Sequence, residues 1–181
     1  CPLGYTAPRG RVMLAVEIGP LAEDQLGVVE GLLNFDLGNP QKHKERLEMQ
    51  QRDELIYLIA WVKEQPVGHA VLEWAGKAHA ALACKVRNCP HIDDLFVHPK
   101  QRSKGIGTQL LDKAQDMAVQ RGYRCVGIGV ATDNHCARTL YNRLGYSEVG
   151  VGEYVDRWQY TDRDGQRRWH QESCHYLVKS L

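Results

Sequence analysis

Between His98 and Thr108 the chain reads His-Pro-Lys-Gln-Arg-Ser-Lys-Gly-Ile-Gly-Thr, which sets Arg102 and Lys104 beside Gly105 and Gly107. An apolar run, Ile92 to Val97, precedes this stretch, and Ile106, Leu110, Ala114 and Met117 recur at helical spacing after it. A strand, a glycine-bearing turn and a helix start in that order make an anion cradle. The first turn of a helix has backbone N–H groups without intrahelical acceptors, and its end of the dipole is positive. Gly105 and Gly107 have no side chain to keep a phosphate from those donors, and the two cations add charge-assisted contacts. The segment is built to hold a pyrophosphate. Further along, Ala137, Leu140, Tyr141 and Leu144 form one helical stripe. The ring of Tyr141 can pack there while its hydroxyl, with an ordinary pKa of about 10, carries a proton at neutral pH. Glu73, Asp93 and Asp94 are carboxylates inside otherwise apolar strands, positions suited to a base or to holding a cationic group.

Spacing narrows the kind of pyrophosphate. Lys104 precedes Gly105 instead of following it, so the Gly-Lys-Ser/Thr ending of a P-loop is absent. A dinucleotide fingerprint needs a third glycine and usually opens near a chain's first strand. What remains is Arg-x-x-Gly-x-Gly at Arg102, Gly105 and Gly107, preceded by Gln101, and it resembles the coenzyme A loop of the GNAT acetyltransferase superfamily. The run Asn134-His135-Cys136-Ala137-Arg138-Thr139-Leu140-Tyr141-Asn142-Arg143-Leu144-Gly145-Tyr146 is similar to that family's second signature, Asn-x-x-Ala-x-x-Leu-Tyr-x-x-x-Gly-aromatic. The two motifs stand in order, one helix and one strand apart, and cover roughly Ile92 to Tyr146.

The resemblance implies an α/β (α+β) fold. Its centre is a mixed, mostly antiparallel sheet of six to seven strands, splayed between the fourth and fifth, with about four flanking helices. It implies direct transfer of acetyl from acetyl-CoA, the cosubstrate, to an amine, without an acyl-enzyme. Carried over by position, Gln101, Arg102, Ser103, Lys104, Gly105, Ile106, Gly107 and Thr108 hold the coenzyme. Main-chain amides near Leu95, Phe96 and Val97, where the central strand bulges, meet the acetyl carbonyl and pantetheine arm. Asn134 and Ala137 line the arm, and Tyr141 is the general acid for the departing thiolate, whose pKa is about 8.5. Asp93 matches an acidic position of several small-amine acetyltransferases in the family and ranks first as base, ahead of Glu73 and then Asp94; a water chain is the alternative. Strand alternation puts Asp93 and Asp94 on opposite faces, so only one of them should look into the groove. His91 and His175 titrate in range but read as structural. Cys136 is no nucleophile for His135, because neighbours in a helix point about 100° apart.

The elements that must place these groups follow from pattern. Arg11 to Ile18 is a strand, Leu21 to Phe35 a helix stopped by Gly38-Asn39-Pro40, and Gln41 to Gln51 a polar helix expected to be a solvated face. Leu55 to Val62 and Val67 to Trp74 are a strand pair turned by Glu64-Gln65-Pro66, and Gly76 to Cys89 is an excursion near the acceptor site. Tyr123 to Val130, Tyr146 to Arg157 and Trp169 to Val178 are further strands, with Thr132-Asp133-Asn134 capping a short helix and an Asp-Gly turn at Asp164-Gly165.

At 181 residues the chain suits one domain, 1–181. A net charge of +1 gives no pull toward nucleic acid or membrane, and no apolar run is long enough to span one. The end Cys1-Pro2-Leu3-Gly4 lacks a signal-peptide build and an initiator Met, and reads as a processed or cloning-derived end. Six cysteines without a Cys-x-x-Cys pair fit a reduced, cytoplasmic setting, and Cys84, Cys89 and His91 lack a fourth ligand for a metal, so none is expected. The acceptor should be a small molecule bearing a primary amine; a protein N-terminus or lysine, or a non-catalytic coenzyme-binding module, is the alternative. Trp158, Tyr160, Arg163, Arg167, Arg168 and Trp169 enrich the last hairpin in aromatics and cations, as a homodimer contact would.

Overall fold

The computed structural model describes residues 15–33, 41–162 and 164–181. Residues 11–14 of the expected first strand, the Phe35 end of the first helix, the break at Gly38-Asn39-Pro40, and Arg163 lie outside these. The strands are β1 (Val16–Pro20), β2 (Leu55–Val62), β3 (Gln65–Glu73), β4 (His91–Val97), β5 (Cys125–Ala131), β6 (Ser147–Glu148), β7 (Tyr154–Thr161) and β8 (Arg167–Ser180). The helices are α1 (Leu26–Leu32), α2 (Lys42–Gln51), α3 (Ala80–Ala83), α4 (Ile106–Gln120) and α5 (His135–Arg143). The strands form one sheet in the order β1-β2-β3-β4-β5-β8-β6, with β7 also on β8. Among the described residues every pairing is antiparallel except β4 with β5.

The mixed, mostly antiparallel sheet matches the expectation from sequence, but among the described residues it has eight strands, not six or seven. The stretch from Tyr146 to Arg157 is not one strand, because Gly150 (φ 69°) and Gly152 (φ 72°) take left-handed turns that end β6 and restart the chain as β7. The alanine-rich excursion contains the short helix α3, anchored by fully buried Leu82.

Both faces of the sheet are covered, which is why β2 reads as an unbroken apolar run. On one face Leu58, Ala60, Leu72, Ile92 and Ile128 pack against Ile106, Leu110, Leu111 and Ala114 of α4 and Tyr141 of α5. On the other, Tyr57, Ile59 and Val71 pack under Val29, Leu33 and Leu47. Farther along that second face Leu82, Tyr154, Cys174 and Tyr176 form a separate cluster. Glycine in β5 makes room for it, since a Cβ on Gly127 would lie 2.2 Å from the Tyr176 hydroxyl oxygen.

The parallel contact is short. β4 and β5 pair only through His91 with Gly127 and Ile92 with Ile128; beyond these the two strands part while β5 stays paired with β8 to Ala131. The splay leaves the C-terminal half of β4 with a strand on one side only.

Candidate functional site

The glycine-bearing loop leaves β4 through a turn of 3₁₀ helix at Pro99–Gln101 and enters α4 at Ile106. Ser103 (φ 60°) and Gly105 (φ 83°) are both left-handed, and Gly105 is the N-cap of α4. The first intrahelical bond runs from Gln109 N–H to Gly105 C=O, so the amides of Ile106, Gly107 and Thr108 precede the ladder. Nothing lies within 4 Å of a Cβ built on Gly105, and one on Gly107 would meet only Val97 Cγ2 at 3.7 Å. The cradle is open. Its cations are already placed: Arg102 Nε donates to Val97 C=O at 3.0 Å and Lys104 Nζ to Gln101 Oε1 at 2.7 Å.

β4 bulges beside this loop. His69 pairs with Phe96 and Val71 with Asp93, so one residue of β3 faces two of β4, Asp94 and Leu95. Asp94 takes φ 43° there. The bulge overturns simple alternation. Asp93 shares the face of Val71, and the Asp94 carboxylate reaches His69 and Arg46, which are on that same side. Asp93 and Asp94 are therefore not on opposite faces; the left-handed residue rotates the second carboxylate onto the face of the first. Beyond the bulge, His98 N–H bonds Val67 C=O. Alternation then directs the amide of Phe96 at β3 and that of Val97 at the splay.

The two acids have different surroundings. Burial alone would raise the Asp94 pKa, but Arg46 Nη2 at 2.7 Å, with Lys42 Nζ at 3.4 Å, holds this carboxyl well below the usual carboxylate range. A carboxylate so firmly ion-paired is a poor base. Asp93 is half exposed, with buried His91 Nε2 3.9 Å away. Glu73 pairs with His91 across β3 and β4, two residues along from the partner of Asp93. Its pKa is raised, first by burial and then by the Asp93 charge. Lys77 and Asp156 make an ion pair of 2.6 Å, and both act electrostatically on Glu73. His91 is a neutral core residue, its pKa pushed down to about 4 chiefly by burial, with its ring against Tyr176. His175 lies 3.5 Å from Glu148, across the sheet from this cluster's strand β4.

α5 starts at Asn134, whose side-chain oxygen accepts from Ala137 N–H at 3.1 Å. Tyr141 is buried against the α4 face of the sheet, and its hydroxyl has no hydrogen-bond partner among the described residues. Burial, then the nearby Asp93 charge, pushes its pKa up to about 12. The structure thus brings Tyr141 and Asp93 into electrostatic reach across the gap between β4 and β5, with Glu73 beside Asp93.

Sequence reasoning missed the groups on α2. That helix is not a solvated face: His43 is fully buried and Lys42 is 8% exposed. His43 Nδ1 lies 2.7 Å from the Tyr57 hydroxyl, which lies 3.0 Å from His69 Nδ1. One signal was available, since His69 interrupts an otherwise apolar buried strand.

The profile described as Acetyltransferase (GNAT) family matches residues 28–146. An uncharacterized N-acetyltransferase of Methanocaldococcus jannaschii is 33% identical over 105 residues, 57% of this chain and 44% of that protein, so the match spans less than half of that relative. The ribosomal-protein-alanine N-acetyltransferase of Brucella melitensis superposes with a TM-score of 0.65 at 20% identity, covering 91% of this chain and 99% of that one. The PaiA N-acetyltransferase of Thermoplasma acidophilum, solved in complex with coenzyme A, gives 0.62 at 13% identity, covering 93% and 100%. At these identities the two structures share the fold.

Proposed function

The chain belongs to the GNAT acetyltransferase family, and from that premise we propose that it moves the acetyl group of acetyl-CoA directly to a primary amine of a small molecule. The observation that carries this reading is the splay of β4 from β5, with the open loop at one end and Tyr141 and Asp93 at its margin. The open amides of Ile106, Gly107 and Thr108, with Arg102 and Lys104, fit a diphosphate. In this reading Gln101 and Ser103 shape the loop, and Leu95, Asn134 and Ala137 border the pantetheine arm. The Val97 amide, and not that of Phe96, donates to the acetyl carbonyl as it gains negative charge. Tyr141 gives the departing thiolate its proton. Glu73 takes a proton from the incoming ammonium, and Asp93 draws the cation in. Thiol release from acetyl-CoA over a panel of small amines and peptides tests the proposal. Turnover confined to peptides would move the acceptor to protein, and binding without turnover would make this a coenzyme-binding module.

Glu73 suits the base for a physical reason. Its raised pKa makes it a stronger proton acceptor than an ordinary carboxylate, and the base form is lost as pH falls through that raised value. The same shift costs stability, because the folded state holds the proton to higher pH than the unfolded chain. Stability from this group is fullest at low pH and falls as pH rises from the ordinary to the raised pKa. Glu73→Gln should therefore melt higher at neutral pH while turnover drops on the order of a hundredfold. Thermal melts and steady-state rates on one preparation check both signs; a lower melting temperature with intact turnover would make Glu73 a structural acid.

The setting and assembly follow the same lines. Among the described residues no helix is long and apolar enough to cross a membrane. The described cysteines are unbridged, which supports a reducing cytoplasm. The β7–β8 hairpin supports a homodimer: Trp169 is 65% exposed and Trp158 40%, and Arg157 lies over the Trp169 ring. Sedimentation velocity should show a dimer that Trp169→Ser converts to monomer; a wild-type monomer at high concentration refutes it.

A further inference from the structure

On the acetyl-transfer reading above, we propose that Arg46 and Asp94 are positioning residues, whose ion pair, backed by Lys42 and a buried His43–Tyr57–His69 chain, holds the β4 bulge that aims the Val97 amide. The bulge needs holding. Asp94 is an L residue at φ 43° inside a strand, a conformation that Asp and Asn tolerate better than most residues but that remains unfavourable. Such a conformation persists where its surroundings over-determine it.

The surroundings here do so from two sides. From α2, Arg46 and Lys42, one helical turn apart, both reach Asp94 Oδ2, at 2.7 and 3.4 Å. From β3, His69 Nε2 lies 3.6 Å from the same oxygen. His69 is neutral, its pKa pushed down to about 3 chiefly by burial, so its contact is that of a ring and not of a cation. Behind it the Tyr57 hydroxyl sits between His69 Nδ1 at 3.0 Å and His43 Nδ1 at 2.7 Å, and all three rings are buried. The His43–Tyr57–His69 chain thus packs behind the bulge as one buried hydrogen-bonded unit. The His69 ring also stands edge-on to Phe96 at 5.3 Å, gripping the strand on the far side of the bulge.

A buried ion pair is weak evidence for stability, since apolar replacements of similar volume often do as well. Fixing a geometry is a different task, and the pair lies three residues before the amide placed at the acetyl group. Displacement of such a group by a fraction of an ångström lowers the rate without touching the loop that grips the diphosphate.

The test uses Arg46→Ala, Arg46→Lys and Asp94→Gly in the full chain. Glycine takes the left-handed turn without strain but has no carboxylate to be held. Arg46→Ala and Asp94→Gly should lower kcat on the order of ten- to a hundredfold, with the dissociation constant for coenzyme A within about twofold of wild type. Arg46→Lys, which keeps the charge but not the planar fork, should recover part of the loss. Amide hydrogen exchange in the peptide covering the β4 end should quicken in Arg46→Ala and not in the α4 peptide. If Arg46→Ala does not fold, Arg46→Lys carries the same two readouts with smaller effects. Unchanged kcat with unchanged exchange overturns the clamp, and faster exchange with unchanged kcat overturns its part in catalysis. So does a weaker grip on coenzyme A equal to the loss in kcat/KM. Absence of wild-type turnover on every acceptor would overturn the acetyl-transfer reading instead, and exchange would still decide the clamp.

Discussion

A chain carrying Gly107→Asp should fold and melt like the wild type yet take up no coenzyme A. The space exists, since a Cβ at this position meets only Val97 Cγ2 at an ordinary 3.7 Å. The new carboxylate sits in the first turn of α4, where negative charge favours the helix dipole, so stability should hold or rise slightly. The property that welcomes the carboxylate is the one the diphosphate needs. With the carboxylate in place the same amides are occupied, and a second anion meets like charge. At about 4 Å such a contact costs about 1 kcal/mol in bulk water and about 4 kcal/mol near a protein surface. Lost amide-to-phosphate bonds, roughly 1.5–3 kcal/mol each when charge-assisted, add to that. Together these take affinity down by a thousandfold or more, beyond the range of a calorimetric titration. Gly107→Ala, with the Cβ but not the charge, should lose only part of the affinity. Wild-type affinity in the Asp variant would mean that the diphosphate is not held at the start of α4.

The loop was legible because it is local. Its donors, glycines and cations follow one another between a strand and a helix whose periods are plain, and the structure keeps that order from Val97 to Thr108. α5 was legible for the same reason: the cap, the apolar stripe and Tyr141 lie within one short segment. The α2 clamp could not be read this way. Lys42 and Asp94 are 52 residues apart, and their meeting depends on side chains of a helix packed on β2 reaching a bulge in β4. In composition alone a helix of Lys, His, Glu and Arg looks like a solvated face, and its hydrophobic content gives no hint that His43 is buried. The bulge has its own consequence for reading. Period-two alternation assigns faces only while the ladder is regular, and one left-handed residue at Asp94 is enough to put two adjacent carboxylates on the same side. The acids differ accordingly: burial raises the pKa of Glu73, and Arg46 holds Asp94 in an ion pair.

Tyr141→Phe separates packing from chemistry at the other margin of the splay. The ring is buried against the core shared by α4 and the sheet, and phenylalanine fills the same volume. The hydroxyl has no hydrogen-bond partner among the described residues, so its removal leaves no orphan and the melting temperature should not fall. The neighbouring Tyr146 is placed differently: its hydroxyl accepts from Gln115 Nε2 at 3.3 Å and belongs to the core. An unengaged hydroxyl on a buried ring, held protonated by a pKa pushed up to about 12, is what a proton donor to a thiolate requires. Losing that donor should cut kcat roughly a hundred- to ten-thousandfold, leave coenzyme affinity within about twofold of wild type, and leave the acid limb set by Glu73 in place. Because the donor keeps its proton well past neutrality, the wild-type rate should show no fall attributable to Tyr141 between pH 7 and about pH 10. Stopped-flow measurement of thiol release at saturating acceptor reads the chemical step directly. A Phe variant as fast as wild type would mean that the thiolate departs without help from this residue, and would leave Tyr141 as packing for α5.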